Sequence, residues 1–464
     1  MGQEIDLLWL TVLMFGSLGV LLMAGLPLAF VTGGLGCIFL FLFGSVSELN
    51  ILPSRIFPFM TDYQLSAIPL FIFMAVMLER AGIIQELFDV VYKILGGLRG
   101  GLASATIVSS TILAAMVGVI GAAEVAMGIL ALPAMLRRRY DPHLACGSIL
   151  AGGTLGILIP PSILAILFAV VAQQSVGDLF IGAIFPGLLL SGLYVIYVTA
   201  RCYINPAAGP ALPVEERISF REKLVLLRNI ITPILLILLV LGVIFTGVAT
   251  PVEAAGIGTF GALYVAAMHR RLSWENIREG ALVTLKASAM VLWIIFGASI
   301  FVGFYILQGG QQFVADVLIG TGLGPYGILL IMMIILVILG MFLDWVGILL
   351  LAVPIFMPIL LQMEFNGLLG LPGPTAGITD PDKAQEALRL WFGVVYIVNM
   401  QMSFLSPPFG YALFYLKSVA PPEIGMGTIF RSAVPFLLLQ ALGLFICVAF
   451  PQIILWLPGL VYGN

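Results

Sequence analysis

Two proline pairs interrupt long apolar segments of this sequence. Pro160–Pro161 lies within GGTLGILIPPSILAILFAVV at 152–171, and Pro407–Pro408 lies within LSPPFGYALFYLK at 405–417. Proline has no backbone N–H, and it disfavours helical geometry in the residue before it. The pairs therefore predict that the helix breaks in each segment and leaves backbone carbonyl groups without helical partners.

Unpaired carbonyl groups are suited to binding a cation such as Na⁺ at mid-membrane. In the first segment they are expected around Gly156 and Ile159. An unsatisfied carbonyl in lipid costs several kcal/mol, so it is tolerated only inside protein or beside a polar ligand. A proline pair can also merely kink a helix, but its recurrence in two segments favours a binding site.

One acidic residue stands in each of two glycine-containing stretches: Glu124 in GVIGAAEVAMG at 118–128 and Asp344 in GMFLDWVG at 340–347. A carboxylate near mid-membrane costs about 2.5–3.5 kcal/mol on insertion scales, so it usually faces a cavity, an ion or a partner. We predict a cation or coupling site there; structural pairing or a neutral carboxyl is the alternative. Nearby hydroxyl groups can ligate Na⁺ or bond back to the preceding turn. They belong to Thr154, Ser403 and Ser406.

The composition places these residues in a membrane. The chain has 464 residues, of which 61% are hydrophobic and 9% charged, whereas soluble domains carry about 25% charged residues. The chain is therefore expected to be a polytopic integral membrane protein. It contains no Gly-Lys dipeptide and no H-E-x-x-H motif, which argues against a P-loop pump and a zinc hydrolase. A channel stays an alternative.

Ten apolar segments are candidate spanning helices, for which about 20 residues are needed. They are 7–25, 26–45, 66–79, 144–171, 178–200, 225–247, 251–269, 280–306, 391–417 and 429–457.

Two further apolar blocks, 103–135 and 326–360, are too long for one crossing and contain glycines near the middle. Lys93 and Arg99 precede the first block, and three arginines follow it at 137–139. Because cytoplasmic loops carry the excess of basic residues, both ends of this block are expected in the cytoplasm. The block is therefore predicted to be a re-entrant hairpin.

The same rule orients the rest of the chain. The flanks of the second block, 307–325 and 361–390, carry mostly acidic charges and are expected outside. Both termini are then predicted to be periplasmic. Only three of the 20 basic residues fall outside under this orientation, and they are Arg55, Lys383 and Arg389.

The two halves of the chain repeat the same order of elements. GILALP at 128–133 pairs with GILLLAVP at 347–354, and LIPPSILAILFAV at 158–170 pairs with LSPPFGYALFYLK. The first half enters its hairpin from the cytoplasm and the second half from outside. We predict an all-α polytopic membrane protein with an inverted-topology repeat, two re-entrant helical hairpins and two broken transmembrane helices, an arrangement typical of secondary transporters.

The predicted organisation has five parts. They are N-terminal scaffold helices at 1–65, a first repeat at 66–200 (hairpin 103–135, broken helix 144–171), linker and scaffold helices at 201–279, a second repeat at 280–457 (hairpin 326–360, broken helix 391–417) and a tail at 458–464.

At these motifs the sequence resembles the large membrane subunit of tripartite ATP-independent periplasmic (TRAP) transporters, the DctM-like family. The resemblance is carried by AIPLFIFMAVMLERAGI, GTLGILIPPSILAILFAVVAQQSVGDLFIGAIFPGLLL, GVATPVEAAGIGTFGALY, GMFLDWVGILLLAVPIFMPIL and SFLSPPFGYALFYLKSVAP. It implies an elevator-type fold like that of the ion transporter superfamily, and Na⁺-coupled import of an organic acid across the bacterial inner membrane. It also implies two partners, a small four-helix membrane subunit (DctQ-like) and a periplasmic substrate-binding protein (DctP-like).

The resemblance further implies two Na⁺ sites, with no enzymatic activity and no cofactor besides this coupling ion. The first would use Gly121, Ala122, Glu124, Gly156, Ile159 and Pro161, and the second Gly340, Asp344, Ser403, Ser406 and Pro408. Substrate is expected between them, near Thr154, Pro160 and Pro407. Ala122, Ala123 and Glu124 replace the Ser and Asp or Asn residues of many relatives, which puts side-chain ligation at the first tip in doubt. The alternative function is a stand-alone ion-coupled anion transporter or antiporter that needs no binding protein.

Overall fold

The computed structural model describes residues 6–118, 120–213, 215 and 218–462. Within these ranges the chain folds into twenty α-helices and three short 3-10 helices. Seven helices are long and apolar enough to cross a membrane, or eight if a bent pair within 221–245 is taken as one span. The predicted N-terminal scaffold begins at residue 1 and the predicted tail ends at residue 464, and both of these ends lie outside the described residues.

The first half of the chain contains ten α-helices. They are α1 (Leu7–Met23), α2 (Leu28–Phe43), α3 (Ile51–Thr61), α4 (Ala67–Arg80), α5 (Ile83–Leu95), α6 (Gly101–Val117), α7 (Ile120–Arg137), α8 (Pro142–Thr154), α9 (Ile163–Ala172) and α10 (Val176–Ile204).

The second half contains ten more. They are α11 (Phe220–Phe245), α12 (Pro251–Met268), α13 (Trp274–Leu307), α14 (Gly310–Gly320), α15 (Pro325–Gly340), α16 (Trp345–Leu360), α17 (Pro381–Leu405), α18 (Tyr411–Val419), α19 (Met426–Ala449) and α20 (Gln452–Tyr462).

These helices confirm the predicted all-α architecture with two hairpins and two broken helices. Helices α6 and α7 form the first hairpin, and α15 and α16 form the second. Helix α8 is interrupted before α9, and α17 is interrupted before α18. Several bounds differ from the prediction, because polar residues also extend helices: α17 begins at Pro381 with a capped, charged first turn, and the apolar segment 429–457 divides into α19 and α20.

The helices of the two halves pack against each other reciprocally. Helix α2 packs along α13 while α12 packs along α4; α7 contacts α18 while α16 contacts α9; and α8 contacts α19 while α17 contacts α10. A two-fold relation between the repeats requires such pairs of contacts, because a contact between two helices must recur between their counterparts in the other repeat. The repeat therefore includes the helices that precede each hairpin.

Polar caps fix where several of these helices begin. Asp141 accepts a hydrogen bond from the His143 N–H at 2.9 Å and starts α8. Thr250 and Glu253 form a reciprocal capping box at the start of α12. Side-chain caps satisfy N–H groups that have no partner within the helix, so these polar residues need no functional role.

Candidate functional site

The first broken helix contains a tight turn at the proline pair. Helix α8 ends at Thr154 and α9 begins at Ile163. Between them, the N–H groups of Leu158 and Ile159 both donate to the carbonyl of Leu155, each at 3.0 Å. Because one carbonyl accepts both of these hydrogen bonds, the turn is tighter than a turn of α-helix, and the α-helix is interrupted here.

Two carbonyl groups in this break lose their helical donor. An α-helix would pair Gly156 and Ile157 with the N–H groups of residues four positions later, but those residues are Pro160 and Pro161. The Ile157 carbonyl instead accepts a hydrogen bond from the hydroxyl of Ser162. The Gly156 carbonyl, one of the predicted ligands, remains without a helical donor.

Ser162 has a structural role that the sequence reading missed. Its hydroxyl oxygen also accepts a hydrogen bond from the Ala165 N–H at 3.3 Å and caps α9. A serine immediately before an apolar run is a recognisable helix-start signal.

The second broken helix has a different set of hydrogen bonds. The hydroxyl of Ser406 donates to the Met402 carbonyl at 2.7 Å. This bond to the preceding helical turn is the alternative to Na⁺ ligation given above for this hydroxyl. The helical donor of the Phe404 carbonyl would be the N–H of Pro408, which proline lacks. Phe409 occupies the position that Ser162 has in the first break, and its side chain has no donor. The Phe404 carbonyl therefore has no equivalent of the Ser162 hydrogen bond.

The tip of the first hairpin lies directly against the first break. Gly118 adopts φ +62°, and a Cβ there would stand 2.6 Å from the carbonyl oxygen of Pro161. Glu124 packs on Gly153 of α8, where an added Cβ would lie 2.9 Å from its Cβ, and Ser110 packs on Gly152 in the same way. Glycine at these positions is what allows the close approach.

Glu124 is fully buried beside these glycines. Among the described residues, neither of its carboxylate oxygens has a hydrogen-bond partner, and the same holds for the hydroxyls of Ser109 and Ser110. A buried carboxylate without a partner is costly. The arrangement therefore favours a bound cation or a proton at this carboxyl.

The tip of the second hairpin lies against α17. Gly340 packs on the side chain of Ser403, whose hydroxyl donates to the Leu336 carbonyl at 3.2 Å. Asp344, half-buried, caps α16 by accepting a hydrogen bond from the Val346 N–H at 3.4 Å. One of its carboxylate oxygens is thus engaged in a structural bond.

Tyr415 of α18 packs against the tip of the first hairpin. Its ring packs on Gly121, where an added Cβ would lie 3.1 Å from the ring, and it lies within electrostatic range of Glu124 and Asp344. Tyr396 and Tyr411 also lie within range of Asp344. Asp344 therefore lies within electrostatic range of three tyrosines, of which Tyr415 is also within range of Glu124, a relation that the sequence does not indicate.

The predicted first-site residues are only partly grouped. Gly121 contacts the second repeat through Tyr415, whereas the residue that meets Pro161 is Gly118. Ala122 and Ile159 are partly buried in the surrounding core. Pro160 is buried, Pro407 is partly exposed and Pro408 is exposed.

Thr154 belongs to a buried polar cluster between the repeats. Its hydroxyl lies 3.4 Å from Oε1 of Gln401 and accepts a hydrogen bond from Nε2 of Gln440 at 3.2 Å. Thr154 and Gln401 each stand six positions before their proline pair. Two equivalent residues that touch must lie near the axis relating the repeats, so this cluster marks that axis. Nothing local in the sequence connects the three residues.

No group of three or more His, Cys, Asp or Glu residues arranged to hold a metal ion occurs within the described part of the chain. An ion at either break would depend mainly on carbonyl and hydroxyl oxygens, which suit Na⁺ rather than a transition metal.

Comparisons with known proteins identify the family of this chain. The family described as "Tripartite ATP-independent periplasmic transporter, DctM component" matches residues 15–453. The C4-dicarboxylate TRAP transporter large permease protein DctM of Pseudomonas aeruginosa is 31% identical over 89% of this chain and 91% of its own. The sialic acid TRAP transporter large permease protein SiaM of Vibrio cholerae is 28% identical over 97% and 98%.

A solved structure shows the same fold. The YdaH transporter of Alcanivorax borkumensis superposes with a TM-score of 0.61 over 95% of this chain and 99% of its own, at 15% identity. The relatives are transporter permeases rather than enzymes. Because the family match covers nearly the whole sequence, the chain belongs to the DctM family, the large membrane subunits of tripartite ATP-independent periplasmic transporters.

Proposed function

We propose that this chain couples the import of an organic acid to the entry of Na⁺ across the bacterial inner membrane. The observation that carries the proposal is the pair of broken helices, each with a carbonyl group that has lost its helical donor and each facing a hairpin tip. The names of the two permeases above, for C4-dicarboxylates and for sialic acid, support a carboxylate as substrate.

The proposed Na⁺ sites lie at the two tips. The first uses carbonyl groups near Gly156, Ile159 and Pro161 with Gly121, Ala122 and Glu124 of the first hairpin, and the second uses Gly340, Asp344, Ser403, Ser406 and Pro408. Bound ions would order the breaks and prepare a substrate site near Thr154, Pro160 and Pro407. The unpartnered carboxyl of Glu124 supports a cation at the first tip.

The proposed movement is of the elevator type. The two hairpins with α8, α9, α17 and α18 form the mobile unit, and the spans at 7–45, 178–247 and 251–269 form most of the scaffold. Ions and substrate drive the movement only if they bind one state more tightly than the other. A small membrane subunit and a periplasmic binding protein complete the transporter, with both termini of this chain on the periplasmic side.

Uptake by reconstituted vesicles tests the coupling. Vesicles containing this chain, its small subunit and its binding protein should accumulate substrate under an inward Na⁺ gradient and lose uptake without Na⁺. Asp344→Ala should weaken the Na⁺ dependence, whereas Asp316→Asn should not, because Asp316 is exposed on α14 and its one side-chain hydrogen bond is to Gln312. Undiminished uptake in Na⁺-free buffer would contradict the coupling.

The same vesicles distinguish the stand-alone transporter. Omitting the binding protein should abolish uptake if delivery is obligatory. Uptake by the membrane subunits alone would favour a transporter that captures its substrate directly.

A further inference from the structure

Thr154 stands where the first broken helix is interrupted. It is the last residue of α8, and the turn of the break begins with the next residue. Its hydroxyl donates to the Ala151 carbonyl of the preceding turn at 2.9 Å and accepts a hydrogen bond from Nε2 of Gln440 at 3.2 Å. The side chain is fully buried. The hydroxyl is therefore held by protein atoms of two helices, α8 and α19.

The same hydroxyl links the two broken helices. It lies 3.4 Å from Oε1 of Gln401, which is four residues before the last residue of α17. Within the described residues of α8, α9, α17 and α18, this is the one hydrogen-bonding contact from one broken helix to the other. Helices α8, α17 and α19 pack against one another around it. The contacts among Thr154, Gln401 and Gln440 thus form a polar link between the ends from which both breaks start.

The hydroxyl hydrogen of this polar link has two acceptors within reach. A threonine hydroxyl carries one hydrogen and can rotate to suit its partners. The shorter distance favours the Ala151 carbonyl over Oε1 of Gln401 in this structure. Nε2 of Gln401 is then buried with no hydrogen-bond partner among the described residues. The polar link therefore has two arrangements, one with the hydrogen kept within α8 and one with it donated to α17.

The hydrogen bond from Gln440 distinguishes the two repeats. FPGLLLSG at 185–192 in α10 aligns with VPFLLLQA at 434–441 in α19, so Ser191 is the counterpart of Gln440. The Ser191 hydroxyl lies 2.7 Å from the hydroxyl of Thr111 in the first hairpin. The contact of α19 with the polar link therefore has no counterpart from α10 among the described residues.

We propose that Thr154, Gln401 and Gln440 are positioning residues that couple ion binding at the two breaks, a role that presupposes the proposed Na⁺ sites. An ion on the Gly156 carbonyl fixes the end of α8 and with it the direction of the Thr154 hydroxyl. The hydroxyl in turn fixes Gln401 and the end of α17. The second break is then already ordered when its ion arrives, so it binds that ion more tightly.

Equilibrium binding of radiolabelled Na⁺ to this chain and its small subunit in nanodiscs tests the coupling. For two sites of similar affinity, the usual coupling factor of about 5 to 150 gives a Hill coefficient of about 1.4–1.9 in the wild type. Thr154→Val, Gln401→Met and Gln440→Met should each lower it towards about 1. They should also raise the half-saturating Na⁺ concentration about 2- to 12-fold, the square root of the coupling factor. Thr154→Ser keeps the hydroxyl and should retain the wild-type Hill coefficient.

Two control variants remove similar groups outside the polar link. Thr106 is fully buried, and its hydroxyl donates to the Leu102 carbonyl of its own helix at 2.9 Å, so Thr106→Val matches Thr154→Val. Ser191→Ala removes the hydroxyl at the position equivalent to Gln440. Both controls should keep the wild-type Hill coefficient. Thermal unfolding of every variant separates a change in ion binding from a loss of fold.

The outcomes separate the coupling from the proposed ion sites. A wild type that binds no Na⁺ would refute the ion sites and the coupling together. Na⁺ binding by the wild type with a Hill coefficient of about 1, or a wild-type coefficient in all three variants of the polar link, would overturn the coupling and leave the ion sites standing. An equal fall in the two controls would also overturn it, because a general loss of packing would then explain the effect.

Discussion

Glycine residues set the distance between each hairpin and the broken helix that it faces. Gly118 meets the Pro161 carbonyl, Gly153 meets Glu124, and Gly340 meets Ser403. These contacts leave no room for a methyl group, since packed interiors tolerate few changes of volume. A single added carbon at the second tip should therefore move the hairpin.

We predict that Gly340→Ala destabilises the protein by about 1–3 kcal/mol through overpacking and lowers uptake. Gly192→Ala in α10 is the control, because an added Cβ there meets nothing within 4 Å; it should be neutral or slightly stabilising, since alanine favours a helix. Thermal unfolding and vesicle uptake measure both effects. Adding Ser403→Gly to Gly340→Ala should recover part of the lost stability, because it removes the clashing Cβ but introduces a glycine into α17 and removes the hydrogen bond to Leu336. A double variant less stable than Gly340→Ala and Ser403→Gly combined additively would contradict this packing.

Residue types identified some important positions but not their partners. The cost of a mid-membrane charge singled out Glu124 and Asp344, and the structure places both near Tyr415. Gln401 and Gln440 could not be predicted, because their contacts with Thr154 are formed across 247 and 286 positions of sequence. Such long-range contacts follow from the packing of helices, which local spacing does not specify.

At the scale of elements, the two broken helices are equivalent in sequence position but not in bonding. The first break closes the Ile157 carbonyl with the Ser162 hydroxyl, while the second has Phe409 at the corresponding position. The second break therefore leaves the Phe404 carbonyl more available to an ion.

Replacing Ser162 tests the cap of the first break. Ser162→Ala removes the donor to Ile157 and the acceptor for Ala165, so we expect a loss of about 1 kcal/mol in stability, the usual value for a helix N-cap. Ser17→Ala is the control, because Ser17 makes one hydrogen bond to the preceding turn and caps no helix. Thermal unfolding measures both variants; equal stability of the two would show that the cap contributes little.

Hairpins and breaks could be predicted because glycine, proline and charge act locally on helices. The helix bounds were harder to predict from apolarity. Helix α17 starts ten residues before the predicted segment 391–417, because Asp380 caps a polar first turn. Helix α3 was missed because its residues Ile51–Thr61 include Pro53, Ser54 and Pro58, which interrupt the apolar pattern.

At the scale of the whole molecule, reciprocal packing extends the repeat beyond the hairpins. Because α2 packs along α13 and α12 packs along α4, the helices before each hairpin bind the two halves together. The mobile unit of the proposed elevator must therefore slide against a framework that itself contains both halves. The predicted division into separate scaffold and repeat segments stays a prediction.

The charges at the two ends of the molecule predict its orientation. Arg137 ends the first hairpin among three arginines, whereas Asp382 lies at the acidic start of α17, and both side chains are exposed. The positive-inside rule places Arg137 in the cytoplasm and Asp382 in the periplasm. In a background carrying Cys37→Ala, which removes the one exposed cysteine of the four, a membrane-impermeant maleimide should label Asp382→Cys in intact spheroplasts. Arg137→Cys should react only after permeabilisation. The reverse labelling pattern would show that the orientation is inverted. Labelling of both cysteines from outside would place the two segments on one side of the membrane and contradict the inverted repeat.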